Sequence, residues 1–276
     1  MSVVAAVQMA SGPNVKANLE EAEKLVKTAV QQDAELVVLP ENFAIMGLTE
    51  VDKVAIAESA GDGPIQQFLS QQAKKHGVWI VGGTIPIESS VTGKVYSASL
   101  LFNDSGDMIA RYDKIHLFDV VLEDSNESYN ESETIESGDD VVVVDTPFGK
   151  LGMAVCYDLR FPELFRAMAD VGMELCVLPS AFTNLTGRAH WESLLRARAI
   201  ENLCYMIAPD QGGYHKSGRE TYGDSMIIDP WGVVLNRLPH GTGVVVSDID
   251  LEKLRKTRVN FPALQHKRLD CKISYT

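Results

Sequence analysis

The chain has 276 residues, 45% hydrophobic and 23% charged, a balance that excludes disorder, collagen and coiled coil as whole-chain descriptions. Its 25 basic and 38 acidic residues give a net charge of −13, which repels both nucleic-acid phosphates and an anionic membrane surface. No apolar run reaches the roughly 18 residues needed to span a bilayer, and a chain of this length needs no disulfide or structural metal to hold a core.

The start, Met1 to Met9, has no basic segment and no cleavage site of a secretory signal, so Ser2 to Gln8 reads as a first strand. Val15 to Gln32 has helical spacing, with Leu19, Ala22, Leu25, Val26 and Ala29 on one face. Glu35 to Leu39 is a short buried strand that Pro40 ends. Ile65 to His76 is a second helix stopped by Gly77, and Val78 to Val81 is the next strand. Val95–Asn103 and Met108–Tyr112 flank the turn Asp104-Ser105-Gly106-Asp107. Ile115 to Gly149 contains no Lys or Arg, and its middle, Leu122 to Asp140, reads as a long polar loop.

Val141–Asp145 and Lys150–Val155 form a second hairpin. Phe161 to Val171 reads as a helix and Glu174 to Leu178 as a strand. Ala189 to Asn202 is a strong helix, striped by Trp191, Leu194, Leu195, Ala199 and Leu203. Strands follow at Cys204–Ala208, Ser225–Asp229, Val233–Leu235 and Gly243–Asp248. Helices and strands alternate in each half, which predicts mixed sheets covered by helices. No linker, low-complexity tract or close repeat interrupts them, so residues 1–276 read as one domain with a C-terminal tail from about 261.

Three segments place a reactive side chain beside a predicted buried strand, where open α/β sheets hold their ligands. Glu41 lies just past one strand, between Pro40 and Phe43; partial desolvation there suits a general base, although a loop acid is the ordinary alternative. Lys114 and His116 alternate with Ile115 and Leu117, which as a strand would put both polar groups on one face. A fixed ammonium stabilises an oxyanion; a surface lysine and a hydrogen-bonded structural histidine are the plainer readings. Cys156 ends the strand Leu151–Val155 and a helix starts near Pro162, a strand–turn–helix elbow that exposes a nucleophile to backbone N–H groups. Cys176, Cys204 and Cys271 read as structural thiols. No Cys-x-x-Cys, Gly-x-Gly-x-x-Gly, P-loop or His-Glu-x-x-His is present, so neither metal nor organic cofactor is expected.

Pro40-Glu41-Asn42-Phe43, Tyr112-Asp113-Lys114-Ile115-His116-Leu117 and Cys156-Tyr157-Asp158-Leu159-Arg160-Phe161-Pro162-Glu163 resemble, in order and separation, the three catalytic motifs of the nitrilase, or carbon–nitrogen hydrolase, superfamily. The resemblance covers nearly the whole chain. It implies a four-layer α-β-β-α sandwich without metal or cofactor. It implies Glu41 as general base, Lys114 as oxyanion stabiliser and Cys156 as nucleophile. Tyr129-Asn130-Glu131-Ser132-Glu133-Thr134 resembles the segment bearing the superfamily's second glutamate; Glu131 is the choice and Glu127 the fallback.

Pro179-Ser180-Ala181-Phe182, Thr186 to Glu192, Leu195 to Asn202 and Asp229-Pro230-Trp231-Gly232 resemble the superfamily's amidase branch. Gln211, Gly212, His215, Arg219 and Tyr222-Gly223 favour the members that act on deaminated glutathione over ω-amidases of 2-oxoglutaramate or 2-oxosuccinamate. Asp224 and Pro209-Asp210 depart from that pattern and leave the substrate open. Expected substrate contacts are Arg160, Tyr157, Phe182 and Thr183. Arg160 either clamps a substrate carboxylate or pairs with Asp158 or Glu163. Trp191 and Trp231 are expected in the core, and Arg196 and Arg198 in helix packing or ion pairs. The resemblance implies a cytoplasmic thiol amidase of a small carboxylate-bearing amide, assembled as a homodimer or larger homo-oligomer, with the tail able to lie on a partner. A catalytically idle metabolite-binding protein on the same fold, and a Cys–His hydrolase using His116 or His190, are the competing readings.

Overall fold

In strand β1 (Ser2–Gln8), Val4 and Ala6 join one apolar cluster while Ala5 and Val7 join another, so the strand is buried on both faces. The computed structural model describes residues 1–122 and 127–269. β1, β2 (Leu36–Val38) and β3 (Trp79–Val81) run parallel, and α1 (Val15–Val30), the short α2 (Val51–Ala55) and α3 (Pro64–His76) lie between them in sequence. Asn14 caps α1, its side chain accepting from the Ala17 N–H at 3.1 Å. Gly77 ends α3 at φ 63°, a left-handed cap. β4 (Ile85–Glu88), β5 (Val95–Phe102) and β6 (Met108–Asp113) extend the sheet antiparallel. A separate hairpin, β7 (Asp119–Leu122) with β8 (Glu127–Asn130), precedes β9 (Ile135–Glu136), which returns parallel to β5.

The second half repeats the plan. β10 (Val143–Thr146) pairs antiparallel with β11 (Gly149–Met153); β11, β12 (Leu175–Val177) and β13 (Tyr205–Ala208) run parallel, with α4 (Pro162–Asp170) and α5 (Asn184–Asn202) in the crossovers. The hairpin β14 (Gly212–Tyr214) and β15 (Glu220–Tyr222) leads into β16 (Ser225–Ile228) and β17 (Val234–Leu238). β18 (Gly243–Ile249) crosses back to pair with β1, and α6 (Leu251–Asn260) follows.

The strand orders are β18-β1-β2-β3-β5-β4, with β6 and β9 also on β5, and β10-β11-β12-β13-β16-β17. Val4, Ala6, Leu36 and Val38 of the first sheet pack against Leu151, Met153, Ile227 and their neighbours in the second. The other face of the first sheet meets Ala22, Val26 and Leu69 of its helices. Phe165 and Trp191 bring α4 and α5 onto the second sheet. The four layers run α-β-β-α, as expected.

Several local expectations are corrected. The 122–140 stretch is not one loop: β8, a 3-10 turn at Glu131–Glu133 and β9 lie within it. β6 ends at Asp113, so Lys114 and His116 are not on a strand. α5 begins five residues earlier than predicted, at Asn184. α2, β4, the β14–β15 hairpin and α6 were not anticipated; Pro86 sits inside β4, and α6 is largely polar. Trp231 is 61% exposed rather than in the core. Its N–H and that of Val233 donate to Asp229 Oδ1, and the resulting turn points the ring outward against Phe261, 5.6 Å between centroids. Trp191 is buried as expected, its indole N–H donating to the Asp224 carbonyl at 2.9 Å. Cys176 and Cys204 are buried free thiols, and Cys271 lies outside the described residues.

Asp158 joins the two halves. Fully buried, it accepts from the Tyr112 hydroxyl (2.6 Å), the His116 N–H (3.1 Å), His116 Nδ1 (2.7 Å) and the Val155 N–H (2.8 Å). It therefore ties the end of β6 to the turn after β11. Asp158→Ala should cost roughly 3–5 kcal/mol, since each orphaned buried donor costs about 1–3, and lower Tm by on the order of 10 °C. Calorimetry finding an unchanged Tm would contradict this role.

His215 anchors the β14–β15 hairpin: Nδ1–H donates to the Ser11 carbonyl at 2.8 Å, and Nε2 accepts from the Thr221 hydroxyl at 2.7 Å. Burial, and then the charge of Arg219, hold its pKa below the ordinary 6.5, against the pull of the Ser11 carbonyl. The fold thus prefers the neutral ring, so this stability is full above about pH 6.5 and declines as pH falls below it. Tm measured from pH 8 to pH 5 should fall less steeply in His215→Gln than in the native chain; parallel curves would exclude the effect.

Candidate active site

Three chain segments carry the candidate residues past sheet strands. Glu41 follows β2, Lys114 follows β6, and Cys156 follows β11. Gly83, at φ 50°, lets the first segment pass: a Cβ there would lie 2.0 Å from the Pro40 carbonyl oxygen. Asn42, at φ 58°, donates its N–H to Thr84 Oγ1 at 3.0 Å and turns the chain behind Glu41.

Lys114 is almost fully buried, and its ammonium donates to Glu41 Oε1 at 2.8 Å and to Glu131 Oε1 and Oε2 at 2.8 and 2.7 Å. Glu131 Oε2 also accepts the Phe118 N–H at 2.7 Å. Burial acts to neutralise the lysine, but the charges of Glu131, Glu41 and Cys156 outweigh it and hold its pKa well above the ordinary value. Burial likewise acts to raise Glu131, but Lys114 and Lys53 hold it below the usual carboxylate value. The cluster therefore carries a fixed ammonium between two carboxylates.

Cys156 sits at φ 46°, the left-handed region that a side chain seldom adopts. Its N–H is pinned to the Pro179 carbonyl at 2.9 Å, and a 3-10 turn runs from Cys156 to Arg160. This is the elbow predicted from the sequence. Burial and then the Glu41 charge push the thiol pKa well up; Lys114 and a hydrogen bond from the Ala181 backbone oppose them. The resting group is a thiol, so nucleophilic attack here needs a base.

One pocket is lined by Glu41, Lys114, Glu131 and Cys156 together with Tyr157, Arg160, Phe182 and Thr183. The four expected catalytic residues and the four expected substrate contacts thus meet there. Glu127 does not line it; it accepts from the Tyr129 hydroxyl at 3.0 Å. Arg160 makes neither expected ion pair. Its Nη1 contacts His190 Nδ1 at 3.2 Å, and its guanidinium lies 5.2 Å from the Phe182 ring centre and 5.9 Å from that of Tyr157. His116 stacks on Phe161 at 3.7 Å and bonds Asp158, so it is structural and does not line the pocket. His190 touches Arg160 and does not line it either.

Sequence reasoning missed Glu50, Lys53, Phe118 and Tyr129 in this lining, and gave Arg219 no site role. Glu50 and Lys53 pair at 2.9 Å on the short helix α2, and the i, i+3 spacing was the available signal. The sequence marks Arg219 only as one of the residues that favour the deaminated-glutathione members, and gives it no contact with substrate. Of the two departures, Asp224 pairs with Arg237 and does not line the pocket. Asp210 lies behind the wall: its Oδ1 accepts the Phe182 N–H at 2.8 Å, and burial and then Glu41 push its pKa well up. Arg196 bonds Glu192 and the Gly232 carbonyl, and Arg198 bonds Glu201 and the Leu159 carbonyl, the packing and ion-pair roles expected.

Comparison with known proteins agrees. The carbon–nitrogen hydrolase family pattern matches residues 3–259. A protein of Synechocystis named deaminated glutathione amidase is 44% identical over 268 residues, covering 96% of this chain and 97% of its own. The human deaminated glutathione amidase is 38% identical over 273 residues, covering 98% and 83%. Among solved structures, the C. elegans NitFhit protein superposes with a TM-score of 0.90 at 36% identity, over 97% of this chain and 65% of that one. Saccharomyces cerevisiae Nit3, a nitrilase-superfamily member, superposes with a TM-score of 0.85 at 34% identity, over 95% and 94%. The chain belongs to the carbon–nitrogen hydrolase family of the nitrilase superfamily and is a hydrolase of non-peptide carbon–nitrogen bonds.

Proposed function

We propose that the chain is a thiol amidase that cleaves deaminated glutathione to 2-oxoglutarate and cysteinylglycine. The observation that carries this is the pocket in which Cys156, Glu41 and Lys114 face arginine and aromatic side chains. The similarity to proteins named for that activity supports the substrate.

In this reading Glu41 takes the Cys156 thiol proton through Oε2, its oxygen not engaged by Lys114. Sulfur attacks the amide carbon. Lys114 and a backbone N–H hold the oxyanion, a preorganised donor being worth about 3–4 kcal/mol. Glu41 returns the proton to the departing nitrogen, the C–N bond breaks and a thioester remains. Water then attacks the thioester, gives its proton to Glu41, and the acid leaves as the thiol reforms. Glu131 is a positioning residue, because both its oxygens are spent on Lys114 and the Phe118 N–H. Arg160 meets the α-keto acid carboxylate, with Tyr157, Phe182 and Thr183 completing the wall.

The reading extends to context. The chain acts as one domain with a tail from about 261, of which residues to 269 are described. It forms a homodimer or larger homo-oligomer, supported by the exposed apolar surface of Trp231, Val233, Val259 and Phe261. It works in the cytoplasm, supported by the free thiols of Cys156, Cys176 and Cys204 among the described residues. No helix of the described residues is long and apolar enough to cross a membrane.

Cys156→Ala should lower turnover of deaminated glutathione by more than about a thousandfold with an unchanged circular dichroism spectrum, while Cys176→Ala, away from the pocket, keeps turnover. Near-normal activity in a pure Cys156→Ala preparation would end the mechanism. Arg160→Lys should raise KM for α-keto ω-amides roughly tenfold and a neutral amide much less, because lysine lacks the bidentate fork. Equal losses on both, with a lowered Tm, would assign Arg160 to structure alone.

A further inference from the structure

Four cations line the pocket, and two of them are matched there. Lys114 is held by Glu41 and Glu131, and Lys53 by Glu50. The other two, Arg160 and Arg219, form no ion pair with a carboxylate among the described residues. In a chain of net charge −13, two arginines kept free of carboxylates in one pocket mark a ligand with two negative charges.

Arg219 is built into the wall. It stands beside β15, next to the hairpin that His215 anchors. Its Nη2 donates to the Ala181 carbonyl, and its guanidinium lies 5.1 Å from the Tyr129 ring centre. Its Nε is buried with no hydrogen-bond partner among the described residues. A buried N–H without a partner is costly, and a carboxylate is the group that a guanidinium edge takes most readily.

The side of the pocket follows from the neighbours. Arg219 lines the pocket with Glu41 and Cys156, and its Nη2 is held on the Ala181 carbonyl. Arg160 lies instead among Tyr157, Phe182 and His190. Glu41 is the group that hands the proton to the departing nitrogen, so the cation near it faces the leaving group.

We propose that Arg219 is a specificity-determining residue that binds a carboxylate carried by the leaving amine, while Arg160 holds the one on the acyl side. The inference rests on the amidase reading above and narrows it to amides charged on both sides of the scissile bond.

The test uses three substrates with one acyl group: deaminated glutathione, the same molecule with its glycine carboxylate capped as an amide, and 2-oxoglutaramate, which releases only ammonia. The native enzyme should prefer the free acid over the capped form by roughly 10–100-fold in kcat/KM, the worth of a charge-assisted fork. Arg219→Gln should erase most of that preference through KM on the free acid, and Arg219→Lys should restore part of it. Equal losses on all three substrates would make Arg219 merely a prop for Ala181 and overturn the inference. So would a native enzyme that cleaves 2-oxoglutaramate but treats free and capped forms alike, a result that leaves the amidase reading standing. A native enzyme that cleaves none of the three would overturn the substrate reading itself, and this inference with it.

Discussion

The site depends on one buried ammonium. Taking a lysine charge out of water costs several kcal/mol unless it is paired and its donors are satisfied. Here the ammonium of Lys114 lies within hydrogen-bond distance of Glu41 Oε1 and of the Glu131 carboxylate. Those two acids come from different sheet-end segments, one after β2 and one after the β7–β8 hairpin. The pairing therefore fixes two loops against each other, and removing Lys114 would leave two buried carboxylates without their cation.

That arrangement also sets the chemistry of the thiol. Burial first, and then the negative charge of Glu41, push the Cys156 thiol up against the opposing charge of Lys114. The sulfur stays protonated at rest, so the site separates holding the proton from using it. Lys114 stays charged and ready for an oxyanion, while one oxygen of Glu41 remains for proton transfer. The backbone meets the same need: Cys156 holds a left-handed φ because the Pro179 carbonyl and the Asp158 carboxylate brace the turn on both sides. Beyond this core the pocket turns cationic, which lets an acidic protein accept an anionic substrate.

The layers and the three reactive positions were legible because each depends on short-range pattern: a buried apolar run, a terminator, then a lone polar side chain. Glu41 after Leu39-Pro40 and Cys156 after Leu151–Val155 are such cases. What was not legible depends on distant partners. The β7–β8 hairpin has half-exposed strands and lacks an apolar alternation, so it read as loop. Trp231 read as core from its size, yet the Asp229 carboxylate caps a turn that points it outward. Arg219 counts in the sequence only for the branch it favours, and its place in the pocket wall emerges when the hairpin brings it beside Ala181 and Tyr129.

The central claim is that these residues form a covalent acyl-enzyme on Cys156. Rapid-quench mass spectrometry during turnover of deaminated glutathione tests it most directly. The account predicts a peptide containing Cys156 that gains the mass of a 2-oxoglutaryl group early and loses it as substrate is exhausted. Turnover of the same substrate with that peptide unmodified at every time point, and the acyl group found on another residue, would contradict it.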